Sequence, residues 1–445
     1  MRYIPSTDED RRELLEEIGV DRVDALFEDI PAEIRERSKL EKWEAMSEIE
    51  IHRRMGELGG KNKSLSDLVC FRGAGAYDHY IPSAVKEIVG RSEFYTSYTP
   101  YQPEISQGTL QAIFEFQTMI ADLAGMEASN ASMYDGATST AEAAIMAVTD
   151  TKRRKILVSR GTGPEVRSVM ETYSRFRDIE LVEVAMDEGT LSIEDLRSKV
   201  DKETAGVVVQ SPNFFGIIED LSGIKGAIED KKVKFIVNTD LLSMGVLKSP
   251  GSQGADIVVG DAQSLGNGIL FGGPYLGFMA VNKKLIRKMP GRIVGESIDT
   301  EGRVSYVLTL QAREQHIRRY KATSNICSNH GLNALAATVH MSLLGKKGLE
   351  EVANQCLQKA HYTMKKLTEG GRYRLKYDKP FFKEFLVESQ GNPGDINRQL
   401  EERGILGGYP VGRDYDELSK GILLCVTEKR SRDEIDKLVE CMEEM

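Results

Sequence analysis

Six short runs rich in β-branched residues recur between residues 155 and 281, and helical segments separate most of them. They are KILV (155–158), IELVEV (179–184), GVVVQ (206–210), KFIVN (234–238), DIVV (256–259) and YLGFMAV (275–281). Alternation of this kind predicts an α/β fold with a doubly wound, mostly parallel sheet. Continuous apolar strands suit a sheet covered on both faces. Upstream, residues 1–60 read as helical. Ser6 or Thr7 caps a first helix whose first turn carries Asp8, Glu9 and Asp10. Pro31 opens a second helix over 31–58, and GGKNK closes it. Downstream of 330, the helical stretches GLNALAATVHMSLLG and GLEEVANQCLQKAHYTMKKL precede YRLKYD, KEFLVE, a helix near 393–403, GILLCV and a last helix from 431. The expected division is a helical segment over 1–90, a large α/β domain over 91–330 and a small α+β domain over 331–445.

Charge and composition narrow the function. A chain of 445 residues with net charge −10 and pI about 5.4 lacks the basic face that a nucleic-acid backbone requires. No apolar run approaches the ~20 residues of a membrane span, and the acidic N-terminus has no apolar core of a secretory signal. The five cysteines, Cys70, Cys327, Cys356, Cys425 and Cys441, form no C-x-x-C pair. They read as buried thiols of a cytoplasmic protein. The six histidines show no i, i+4 pair and no ligand spacing to a cysteine, so a metal is not expected. RGAGAYD and RGTGPEV each hold G-x-G without the third glycine, which excludes a dinucleotide fingerprint.

Five segments carry candidate chemistry. GDAQSLGNGILFGGP (260–274) joins an apolar strand to a glycine pair, the kind of turn in which aminotransferase-like enzymes place the lysine that holds pyridoxal phosphate. Here no lysine occurs between Lys248 and Lys283. In NASMYDGATSTAEAAIMAV (130–148) a turn at Asp135 opens an alanine-rich helix, either an anion cradle or a capped helix start. Asp135 disfavours a phosphate there. In SEFYTSYTPYQPEISQGT (92–109), Tyr95, Tyr98, Tyr101 and Glu104 recur every third residue. Pro100 and Pro103 point to an extended segment with those side chains on one face, walling a pocket or packing beneath a loop. Asp240 ends the strand KFIVN, a position from which a carboxylate holds a pyridine nitrogen or caps a turn. In EQHIRRYKATSNICSN (314–329), Thr323, Ser324 and Asn325 follow Arg318, Arg319 and Lys321, an anion site or a solvated basic stretch.

Together, FRGAGAYDHYIPSAV, RSEFYTSYTPYQPEISQGTLQAIFEFQTMIADLAGM, NASMYDGAT, GDAQSLG, FGGPYLGFMA and REQHIRRYKATSNIC resemble glycine dehydrogenase (decarboxylating), the P-protein of the glycine cleavage system. The resemblance runs over essentially the whole chain. It implies a fold type I pyridoxal-phosphate enzyme with a doubly wound sheet. P-proteins occur as one long chain or as two subunits, and this length resembles the first of the two. In the family the second subunit carries the cofactor lysine in a His-Lys pair. Ser264-Leu265 stands roughly at that pair here, and leucine forms no imine. Asp240, Asp135 and Ser264 are then vestigial.

The resemblance implies roles across a subunit interface. Thr323, with Ser324 and Asn325, serves the phosphate of the partner's pyridoxal phosphate. Tyr95, Tyr98 and Gln102 approach glycine, with Glu104 in support. The implied reaction decarboxylates glycine and passes its aminomethyl group to the lipoyl arm of the H-protein, in an assembly of two copies of each subunit. Two other readings stay open: a non-catalytic scaffold, and a self-sufficient pyridoxal-phosphate enzyme using another lysine such as Lys248.

Overall fold

The computed structural model describes residues 6–38 and 45–445, in two compact units that divide between Ser64 and Leu65. The N-terminal unit contains the helices Asp8–Ile18, Ala32–Arg37 and Glu48–Gly59. Thr7, rather than Ser6, caps the first: its hydroxyl accepts from the Asp10 N–H and the Asp10 carboxylate answers. Ser47 and Glu50 repeat this capping box at the third helix. The single helix expected over 31–58 is therefore two, with residues 39–44 of that span outside those described.

The second unit is built on a seven-stranded sheet. In chain order its strands are β1 (Ala128–Ser129), β2 (Lys155–Ser159), β3 (Glu180–Val184), β4 (Thr204–Gln210), β5 (Lys234–Asn238), β6 (Ile257–Asp261) and β7 (Gly277–Val281). Their spatial order is β1-β7-β6-β5-β4-β2-β3. Strands β3, β2, β4, β5 and β6 run parallel, and β7 lies antiparallel to both β6 and β1. All six strands expected from sequence are present. Their side chains alternate between two apolar clusters, Val207, Val209, Phe235 and Val237 on one face and Ile156, Val208, Ile236 and Val259 on the other. Burial on both faces explains why these strands read as unbroken apolar runs.

Three helices position the functional regions: α1 (Pro103–Ala124), α2 (Gly136–Thr151) and α3 (Gly331–Glu369). α2 is alanine-rich because it lies close against the sheet, with Ala137, Ala141, Ala143, Ala144 and Ala147 all buried. α1 contradicts one expectation. Pro103 begins this helix rather than prolonging an extended segment, and Glu104 lies in its first turn. A proline at the first helical position loses only an N–H that has no intrahelical partner anyway. Ser92–Tyr95 is likewise a helical turn, and the stretch between the helices turns at Pro100, where the Tyr101 N–H donates to the Thr99 carbonyl. An antiparallel hairpin, Ile293–Ile298 with Val304–Thr309, packs on α1. There Gln107 and Gln117 each bond both ways to the backbone, at Tyr306 and Val294.

The C-terminal part holds a four-stranded antiparallel sheet in the order Tyr373–Leu375, Glu384–Ser389, Gly421–Cys425, Tyr409–Pro410. The helices Pro393–Glu402 and Arg432–Glu443 accompany it. Residues 65–90, grouped from sequence with the N-terminal helices, belong to the second unit, where Val69–Cys70 pairs in parallel with Ile405–Leu406. The two helical stretches expected after 330 are present, joined in α3 across a break at Gly345 with φ 58 and ψ −175. This backbone region is open essentially to glycine alone, and an added Cβ there meets nothing within 4 Å. Gly345→Ala is therefore a pure backbone test. It lowers unfolding free energy by roughly 1–3 kcal/mol in denaturant titration.

Candidate functional site

The carboxyl ends of β4, β5 and β6 open into a cavity of about 420 Å3. Both G-x-G segments wall it, through Gly73–Tyr77 and through Gly163, Pro164 and Glu165. This is where open α/β sheets bind ligands. It is also where sequence places the cofactor turn, Asp135 and Asp240.

At each position where the sequence resemblance places pyridoxal phosphate, groups of this chain stand instead. The first is the start of α2. Gly136 allows the helix to abut β6, since a Cβ there would stand 2.8 Å from the Asp261 backbone nitrogen. Its N–H donates to Asp261 Oδ2 at 3.0 Å, and the Thr138 N–H donates to Asp135 Oδ1 at 2.7 Å. Two carboxylates thus occupy the electropositive end of the helix, where a phosphate would sit. Burial raises the Asp261 carboxyl to about 6, against backbone N–H donors that favour its charge. The second position is Leu265. It is fully buried in the main core cluster, with no amine to offer. The third is Asp240. Its Oδ1 accepts from the Ser264 hydroxyl at 2.6 Å and the Leu242 N–H at 3.1 Å, while Lys383 Nζ stands 2.5 Å from Oδ2. These residues do not fit the cofactor.

Lys383 has no counterpart in the sequence expectations. Its ammonium is buried between Asp240, His79 Nε2 at 2.9 Å and the Tyr77 ring, whose centroid is 3.4 Å away. Burial opposes the charge of both partners, yet their attraction prevails: the Lys383 pKa is raised and that of Asp240 lowered. Because Lys383 carries only donors, His79 Nε2 accepts and its Nδ1–H donates to Glu428 Oε2 at 2.6 Å. Burial and the neighbouring ammonium keep His79 neutral by lowering its pKa. Burial also resists charge on Glu428, but the bond from His79 outweighs it and holds that carboxyl at about 2. Cys356 completes the group, with Sγ 3.4 Å from Glu428 Oε2. Spacing along the chain did not foresee His79, Cys356 and Glu428 within 4.8 Å of one another, and their polar atoms are engaged by hydrogen bonds. The residue after Lys383, Glu384, accepts from the Ala74 N–H at 2.7 Å and the Tyr77 hydroxyl at 2.8 Å.

The remaining sequence candidates lie elsewhere. Tyr95 and Tyr98 line a second cavity of about 200 Å3, with Thr99, Arg292 and Asn329. Gln102 and Glu104 are exposed and line neither cavity. Thr323, Ser324 and Asn325 line neither as well. The Thr323 carbonyl accepts from Arg177 at 3.4 Å, and the Ser324 hydroxyl accepts from the Ile326 N–H. Lys248 borders a separate recess beside Ser211, Glu219 and Gln253, away from Asp240 and Leu265.

Two outcomes follow from the buried charges. Lys383→Met strands the Asp240 carboxylate and costs about 3–5 kcal/mol in denaturant unfolding, most of it recovered when Asp240→Asn is added. The Glu384 carboxyl is raised by burial from 4.5 to about 7. A raised carboxyl contributes its stability in full below the unfolded value and loses it as pH rises through the folded value. Glu384→Gln removes that loss. Its stability relative to the parent grows by roughly 3 kcal/mol between pH 4.5 and 7, as unfolding titrations at three pH values will read.

The comparisons agree with this architecture. The family model described as glycine cleavage system P-protein matches residues 1–442. A probable glycine dehydrogenase (decarboxylating) subunit 1 from Desulforamulus reducens is 55% identical over 438 residues, 98% of each chain. Its namesake from Moorella thermoacetica is 50% identical over 99% of each. The crystal structure of a glycine decarboxylase (P-protein) of the glycine cleavage system, in inhibitor-bound form, superposes with TM-score 0.90 at 42% identity, covering both chains fully. Lactobacillus brevis glutamate decarboxylase shares the fold alone, with TM-score 0.66 at 16% identity over 92% of this chain and 97% of its own. The fold is that of the type I pyridoxal-phosphate enzymes, and the chain belongs to the glycine cleavage system P-protein family.

Proposed function

We propose that this chain is the lysine-lacking first subunit of a two-subunit glycine dehydrogenase (decarboxylating) and acts by completing the site of its partner. The observation that carries this is that its own groups answer all three positions of the cofactor pocket: Asp135 and Asp261 at the helix start, Leu265 at the position the resemblance gives the lysine, and Lys383 on Asp240. A chain with its pocket charges paired in this way yet built throughout as a P-protein serves a cofactor held by another chain. Pyridoxal phosphate on the second subunit supplies the electron sink for loss of the glycine carboxylate.

The tyrosine loop supports the reading. Tyr95, Tyr98 and Tyr101 are 69%, 79% and 54% exposed, and neighbouring Ile105 is 81% exposed. A contiguous group of large exposed side chains marks a surface made to be covered. In the assembly Tyr95 and Tyr98 wall the glycine site and exclude water, with Gln102 and Glu104 at its edge. Thr323, with Ser324 and Asn325, directs a hydroxyl to the phosphate of the partner's cofactor. The aminomethyl product passes to the lipoyl arm of the H-protein. Two copies of each subunit form the enzyme, which works in the cytoplasm.

Mixing the full-length chain with a second subunit tests this through glycine–CO2 exchange, which neither chain shows alone. Tyr98→Phe and Thr323→Ala each lower exchange at least about tenfold, the scale of one lost hydrogen bond to a charged group, while the pair still assembles by size-exclusion chromatography. Unchanged exchange in both variants favours the scaffold reading instead.

A further inference from the structure

Arg292 lies at the start of the hairpin, and its side chain is only 4% exposed. It lines the 200 Å3 cavity of the tyrosine loop. Its Nη1 donates to the Thr99 hydroxyl at 3.4 Å, its guanidinium stands over the Tyr101 ring at 5.6 Å, and its Nε is 3.9 Å from Glu314 Oε2. These contacts fix the plane of the guanidinium from three sides. Nη2 is buried and has no hydrogen-bond partner among the described residues. A buried donor without an acceptor is costly, the more so on a charged group.

We infer that Arg292 is the carboxylate anchor of this cavity, a specificity-determining residue that takes the carboxylate of a small acid through Nη2. A planar fork with one arm engaged and one unpaired suits a carboxylate. Glu314 offsets part of the positive charge, so a monoanion matches the site better than a phosphate dianion. Tyr95 and Tyr98 line the same cavity beside it. The acid class is that of the unsubstituted amino acid, and in this respect the inference rests on the functional reading above. Arg292 then orients the carboxylate that departs.

The reconstituted pair is the test, with glycine–CO2 exchange as readout. Arg292→Gln raises the KM for glycine at least tenfold while kcat stays within about threefold, as expected for a lost charge-assisted hydrogen bond. Arg292→Lys, which keeps the charge without the fork, recovers part of the KM. Acetate inhibits the parent pair competitively and loses at least tenfold in potency against Arg292→Gln. Methylamine, which has no carboxylate, inhibits both equally. The inference is overturned by an unchanged KM, by parallel loss of both inhibitors, or by failure of both variants to assemble, which assigns Arg292 to the interface or the core. A parent pair that shows no exchange at all sinks the functional reading and the anchor with it, an outcome distinct from an active pair indifferent to Arg292.

Discussion

The pairing of Lys383 with Asp240 is the contact on which the arrangement of the second unit turns. A carboxylate just past the end of a central strand, largely removed from water, is untenable alone. Here it is met by an ammonium from the threshold of the C-terminal sheet. The same ammonium reaches His79 and Tyr77, and Glu384 next to it takes the Ala74 N–H and the Tyr77 hydroxyl. Two consecutive residues thereby tie the 73–79 segment and the C-terminal sheet to the strand ends of the large sheet. A buried ion pair adds little net stability compared with apolar residues. Its effect is to fix three segments in one register.

The substitutions in the pocket share a pattern of charge. A bound pyridoxal phosphate presents an anion to a helix start and a protonated ring nitrogen to a strand-end carboxylate. This chain supplies both charges itself: carboxylates of Asp135 and Asp261 against the start of α2, and the Lys383 ammonium against Asp240. The scaffold's electrostatic demands are met without a ligand. Asp240 is thereby partnered from within the chain. Removing it would strand the lysine, just as removing the lysine would strand the aspartate.

Much of the fold was legible because strands covered on both faces carry continuous apolar runs, as GVVVQ and KFIVN do. Turn chemistry was less legible. Pro103 reads equally as a helix breaker and as a helix start, and only the packing of α1 against the hairpin decides between them. Leu265 and Asp135 stood out because each departs from a local motif. Lys383 and Arg292 did not, since neither sits in a motif and their partners lie far along the chain: Asp240 for one, Thr99 and Tyr101 for the other. Contacts of that kind arise from topology and leave no periodic trace.

The two cavities differ in a way that bears on division of labour. Around the strand ends, Asp135, Asp240, Asp261 and Glu384 all have donors within the chain. Around the tyrosine loop the reverse holds, with three tyrosines more than half exposed and a buried guanidinium whose Nη2 lacks an acceptor. A polar cluster paired largely within the chain behaves as core, whereas exposed aromatics leave apolar surface uncovered. Tyr95 and Tyr98 thus line the smaller cavity, and the carboxylates of Asp135, Asp240, Asp261 and Glu384 line the larger one.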